Sequence, residues 1–153
     1  MADTITITTS IAGGIQTVGR GIAGIKTAFA LAPTNIDSSQ LPALYSFTSS
    51  STIDTETLGD GVPLVRRTMR VQVAVIPIAE GDPTQREAKC RPLIDEAIDQ
   101  FLAYPQLGGV AGVQLAEPVS DSGIVVLPEW GSKFIGFEIR LEVNYVLSRT
   151  YKE

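Results

Sequence analysis

From Asp82 to Tyr104 the chain carries one long amphipathic segment, flanked on each side by extended, alternating segments. That arrangement restricts the fold to those in which a helix lies against a sheet. Asp82 is placed to accept hydrogen bonds from first-turn amides. Pro83 suits the first helical position, where a missing N–H costs nothing, and Gln85 follows at capping-box distance. Cys90, Leu93, Ile94, Ala97, Ile98, Phe101 and Leu102 then recur at the spacing of one helical face, while Arg86, Glu87, Lys89, Asp95, Glu96, Asp99 and Gln100 take the rest. Pro92 deletes one helical hydrogen bond and predicts a kink near residues 89–91. Pro105 and the pair Gly108–Gly109 end the helix.

The chain has 153 residues, enough for one domain with a real core. With 44% apolar and 19% charged residues it reads as globular. A net charge of −5 argues against a general binder of phosphate backbones. There is no histidine, which removes Ser-His-Asp and Cys-His catalysis, histidine metal sites and most pH switching near neutrality. The single cysteine, Cys90, lies on the apolar helix face, so it forms no disulfide within the chain and points to a reducing compartment.

Residues 1–10 read as an extended polar arm in which Ile5 and Ile7 alternate with Thr4, Thr6 and Thr8, without the features of a signal peptide. Such a segment is suited to adding to a sheet edge, its own or a neighbour's. The single domain is then 11–153. Ile11, Ile15, Val18, Ile22, Ile25 and Phe29 step by 4, 3, 4, 3 and 4, which predicts a helix from Ile11 to Ala32 closed by Pro33. Gly13, Gly14, Gly19, Gly21 and Gly24 weaken it by about 1 kcal/mol each relative to alanine, so it needs a surface to form on. Arg20 and Lys26 interrupt the apolar run and argue against a membrane span.

Strands are expected at Leu41–Thr48, Arg66–Ile78, Val113–Val119, Ile124–Leu127 and Phe134–Leu147. The longest alternates Ile135, Phe137, Ile139, Leu141, Val143, Tyr145 and Leu147 against Glu138, Arg140, Glu142 and Asn144, as in a sheet with one buried and one polar face. Ser49–Val65 reads as a long polar loop or extended hairpin of 17 residues. The fold class is therefore α+β, a mainly antiparallel or mixed sheet packed by one long helix and a weaker N-terminal one.

No motif points to catalysis, to a cofactor or to a metal. Gly19-x-Gly21-x-x-Gly24 has the form of a dinucleotide fingerprint, but Asp37 comes too early for the acidic partner and no βαβ repeat follows. A small-residue helix admitting a close neighbour is the better reading. Asp95, Glu96 and Asp99, like Asp54 and Glu56, lack calcium-loop spacing and read as solvated surface. Ser49-Ser50-Ser51 has no base to activate it. Trp130 is either a turn anchor into the core or an interface aromatic.

The order of elements also carries a resemblance. A weak N-terminal helix leads to Leu41-Pro42-Ala43-Leu44-Tyr45-Ser46-Phe47 and a long acidic insertion; Arg70-Val71-Gln72-Val73-Ala74-Val75-Ile76-Pro77 then leads into the long helix, and a Trp-containing turn feeds a final strand ending in Tyr145-Val146. Over residues 11–150 this resembles the lambda-type tail terminator proteins of long-tailed bacteriophages. The glycine-rich first helix and the threonine-rich arm depart from the pattern. The resemblance implies a structural virion protein of the tail neck, assembled in the host cytoplasm and not an enzyme. Six copies would form a ring that caps the tail tube, stops its polymerisation and receives the head–tail connector, while genomic DNA passes through the lumen without specific binding. Asp54, Glu56 and Asp60 become candidates for an acidic lumen that keeps DNA sliding, and Arg66, Arg67 and Trp130 candidates for subunit contacts. Two alternatives remain open: another neck, head-completion or tail-tube ring protein, and a small nucleotide-binding module using residues 19–24.

Overall fold

The computed structural model describes residues 7–54, 64–80, 82–130 and 133–146. It is an α+β fold: a curled mixed sheet with two helices on one face. Helix α1 spans Ile7–Arg20 and α2 spans Pro83–Ala103. The strands are β1 (Thr27–Ala28), β2 (Ala43–Asp54), β3 (Leu64–Pro77), β4 (Val113–Asp121), β5 (Val125–Val126) and β6 (Phe134–Val146). Their order across the sheet is β1-β2-β3-β6-β4, with β5 also on β6. Among the described strands, β1 and β2 pair parallel and the other pairs are antiparallel.

Alternation builds the two faces. Met69, Val71, Val73 and Val75 of β3 and Ile135, Phe137, Ile139, Leu141, Val143 and Tyr145 of β6 enter the main core beneath the helices. Leu44 joins them from β2, whereas Ala43, Tyr45 and Phe47 point to the other face. There a second, smaller cluster forms, with Phe29, Ile36 and Leu41 from the segment after α1 and Leu127 and Phe134 from around the β5–β6 turn.

Helix α2 begins as its sequence dictates. Asp82 is extended, and its Oδ1 accepts the Gln85 N–H at 2.8 Å; Pro83 follows, and the helix runs on through Pro92. Cys90, Leu93, Ala97 and Phe101 are buried, and Ile94 and Ile98 pack half-buried beside them. Leu102 is 59% exposed and lies off the buried stripe. No described helix is long and apolar enough to cross a membrane.

The N-terminal reading needs correcting in two places. Residues 7–10 are the first turn of α1, not part of an extended arm, and residues 1–6 lie outside the described residues. The helix then stops at Arg20 instead of continuing to Ala32. Ile11, Ile15 and Val18 are buried on it as expected, but Gly21 and Ile22 donate to the carbonyls of Val18 and Gly19, a tightening typical of a helix end. Gly24, at φ +95°, then turns the chain back. Ile22 still reaches the core from this turn, which is how a clean helical stripe outlasts its helix. Phe29 goes to the opposite face, after β1 has added beside β2.

Two strand boundaries also differ from expectation. β2 continues to Asp54 and β3 starts at Leu64, so the connection is an extended hairpin whose paired part reaches Asp54↔Leu64. Residues 55–63 at its tip lie outside the described residues. β4 and β5 do not pair with each other: β3 takes one edge of β6 along its whole length, and both run along the other edge in one interrupted line.

Candidate interaction surface

Among the described residues, those covering the face of the sheet away from the helices gather at its Ala43–Ala74–Gly136 end. Towards the hairpin it becomes polar, and the registers lay it out in rows. Tyr45, Gln72 and Glu138 form one row, Phe47, Arg70, Arg140 and Ser120 the next, and Thr68, Glu142 and Glu117 a third. Thr52, Arg66, Asn144 and Leu115 make a fourth, and Asp54, Leu64 and Val146 the last.

Arg70 organises this surface. Its Nε donates to Glu138 Oε1 at 2.8 Å, its Nη2 pairs with Glu129 from the turn before β6, and its guanidinium lies 5.9 Å from the centre of the Phe47 ring. Gln72 Nε2 donates to the same Glu138 oxygen at 3.0 Å. Arg70 and Arg140 stand directly opposite each other, a repulsive pairing that the two carboxylates offset. The hydrogen bond to Glu129 is the main reason the Arg70 pKa is raised, against partial burial. Burial pulls the Glu129 carboxyl up, but hydrogen bonds from Gln72 and Arg70 outweigh it and leave the pKa below its usual 4.5.

The sign of the linkage follows. A carboxylate whose folded-state pKa is depressed stabilises fully above its unfolded value, and that contribution is lost as pH falls through the folded value. Glu129→Gln should therefore melt below wild type at pH 7, and the difference should close as the pH is lowered past about 4.5. A gap independent of pH would mean that the charge of Glu129 is not what holds the turn.

The residues singled out in the sequence are scattered relative to this network. Arg66 is exposed on the polar face, one row in from the end of the paired hairpin. Arg67 points the other way, and its Nε donates to Tyr145 Oη at 3.2 Å. Asp54 ends β2 opposite Leu64, and Trp130 ends the short turn that carries Glu129. Glu56 and Asp60 lie outside the described residues. Arg70, Gln72 and Glu138 were legible as polar-face positions, but their convergence needs the β3–β6 register, and Glu129 gave no signal at all.

Other features have little chemistry to offer. Gly19 lies within the last turn of α1, and a Cβ there would come within 2.9 Å of the Leu44 side chain, so it serves close helix–sheet packing. The glycine-rich stretch also follows a helix and precedes a two-residue strand, the reverse of the order a dinucleotide loop requires. A groove of about 490 Å³ between α2 and residues 38–42 is lined mainly by Leu41, Pro42, Val75, Ile76 and Leu93, with Lys89 as its one charged group. Asp95, Glu96 and Asp99 are all exposed.

Cys90 is buried, and desolvation, helped by the Glu87 carboxylate, pushes its thiol up to about 11. At neutral pH almost none of it is thiolate, the reactive form. A thiol reagent should modify the unfolded chain fully while leaving the native protein unlabelled over the same time. Fast native labelling would show that α2 opens locally.

No protein-family model matches this chain, and no curated protein matches it.

Proposed function

We propose that this protein is a structural ring subunit, a tail terminator. Copies of it, six by the family pattern, cap the end of a tail tube, stop its growth and present a face to the head-side connector. DNA then passes through the centre. The observation that supports this reading most is the β2–β3 hairpin. Its strands stay paired to Asp54↔Leu64, and Thr48–Ile53 along it are all exposed, with Ile53 at 63%. An arm of this kind adds little to its own core and is suited to contact with another subunit or the tube. The acids of its tip, Asp54, Glu56 and Asp60, are our candidates for lining the passage, where like charge keeps DNA from adhering.

The test separates fold from assembly. Replacing residues 55–63 with a short Gly-Ser linker should leave the melting temperature within about 3 °C of wild type, since it removes no described core residue. The same variant should lose ring formation and tail capping, read by electron microscopy of purified protein mixed with uncapped tubes. Normal capping would remove the hairpin from the interface. Long filaments of the wild-type protein alone would make it a tube subunit instead.

A further inference from the structure

The two long edges of the sheet are built differently. On β4 the groups that turn away from β6 are largely blocked. The Ala116 N–H is taken by the Pro105 carbonyl, the next outward position is Pro118, which has no N–H, and register shifts interrupt the strand on both sides. On β2 the pattern is open. The Leu44 carbonyl accepts the Phe29 N–H, which fixes Leu44 as outward-facing. Alternation then turns the backbone of Ser46 and Thr48 outward, and the extra residue between Thr48 and Ser51 turns that of Ser51 and Ile53 outward as well. Past Leu44 no described strand pairs with this edge. Apart from that one bulge it lacks the usual protection, having neither proline nor lysine, and Thr48–Ile53 is uncharged and exposed.

We infer that the outer edge of β2 is a seam at which a second copy of this chain adds its own β2, antiparallel, so that one sheet continues across both molecules. The occupant follows from what a second copy can offer. A strand that adds must itself have a free edge; β4 is blocked and β1 is two residues long, which leaves β2 among the described strands. Charge permits the pairing. The facing segments are Ser, Thr and Ile, and the nearest like charges, Arg66 and Arg67, sit one strand further in. Across three strand spacings they are about 14 Å from their counterparts, beyond the screening length of about 8 Å at physiological salt. Antiparallel pairing also brings Ile53, now 63% exposed, against the partner strand. The contact is twofold and self-complementary, so it is separate from the head-to-tail contact that closes a ring and does not rest on the ring reading.

The experiment is sedimentation over a concentration series, joined to amide hydrogen exchange, for wild type and for Thr48→Lys/Ser51→Lys. Lysine on an edge is how sheets discourage pairing, and both side chains are exposed, so the fold should survive with an unchanged melting temperature. We expect wild type to double in mass with rising concentration and to protect the Thr48, Ser51 and Ile53 amides as it does so. The double variant should stay at the monomer mass with those amides unprotected. A wild type that never pairs, a variant that pairs equally well, or amides protected already in the monomer because the chain covers its own edge, would each overturn the seam. Rings seen with the lysine variant would leave the ring reading intact, whereas absence of rings in a wild type that still pairs would count against that reading alone.

Discussion

Gly136→Ala should abolish the native fold. Gly136 is the third residue of β6, opposite Ala74, where β3 shifts register, and a Cβ at this position would stand 1.8 Å from the Val73 carbonyl oxygen and 2.9 Å from its carbon. The obstacle is backbone, held between β2 and β6, and no side-chain rotamer can move to relieve it. Overpacking against side chains usually costs about 1–3 kcal/mol, and separating two paired central strands should exceed that range. Against a total stability of roughly 5–15 kcal/mol, the variant should be found mostly insoluble or unfolded. Gly13→Ala is the control. Nothing lies within 4 Å of its Cβ position inside α1, so the same substitution should stabilise by about 1 kcal/mol. Urea denaturation of both variants decides the matter; a soluble Gly136→Ala protein with wild-type midpoint would mean that β3 and β6 are not this close.

Phe101→Ala should cost about 3–5 kcal/mol, the usual range for emptying a fully buried aromatic site. The ring sits where the last turns of α2 meet the core, and it is wholly buried. Its neighbour Leu102 is 59% exposed, so Leu102→Ala should stay within about 0.5 kcal/mol of wild type. The pair is a direct test of how α2 is rotated on the sheet. Comparable losses from both substitutions would show that the helix presents a wider face than described.

These two sites also mark what a sequence can and cannot disclose. The stripe from Cys90 to Phe101 was readable because helical period and burial coincide there, and the alternation in β3 and β6 gave both faces of the sheet for the same reason. Leu102 was misread because apolarity alone does not say where the buried stripe ends. The stripe from Ile11 to Phe29 misled more seriously, since a turn after Arg20 can send Ile22 into the same core that a longer helix would reach. Gly136 gave no warning: its need is imposed by β3, some sixty positions earlier in the chain. The Arg70 cluster is similar, for three of its members come together only through the β3–β6 register. The edge of β2 was half visible as a polar Ser-Thr run, which left loop and extended hairpin both open because serine-rich segments suit either; the pairing to Asp54↔Leu64 makes it hairpin.

The position of β6 has a consequence for how this molecule comes into being. The strand with the longest pairing to its neighbours is the final one in the described sequence, inserted between β3 and β4, both of which precede it. A chain still being synthesised can close the β2–β3 hairpin and wind α2 early, because those contacts are local. It cannot join its two halves. Until residues 134–146 are available, β3 and β4 each face solvent along the side that β6 will occupy, with the apolar residues of the main core uncovered beside them. Closure of the sheet thus waits until β6 is available to both halves. The interval before it is when the nascent chain is most exposed to pairing with the wrong strand or with another copy of itself.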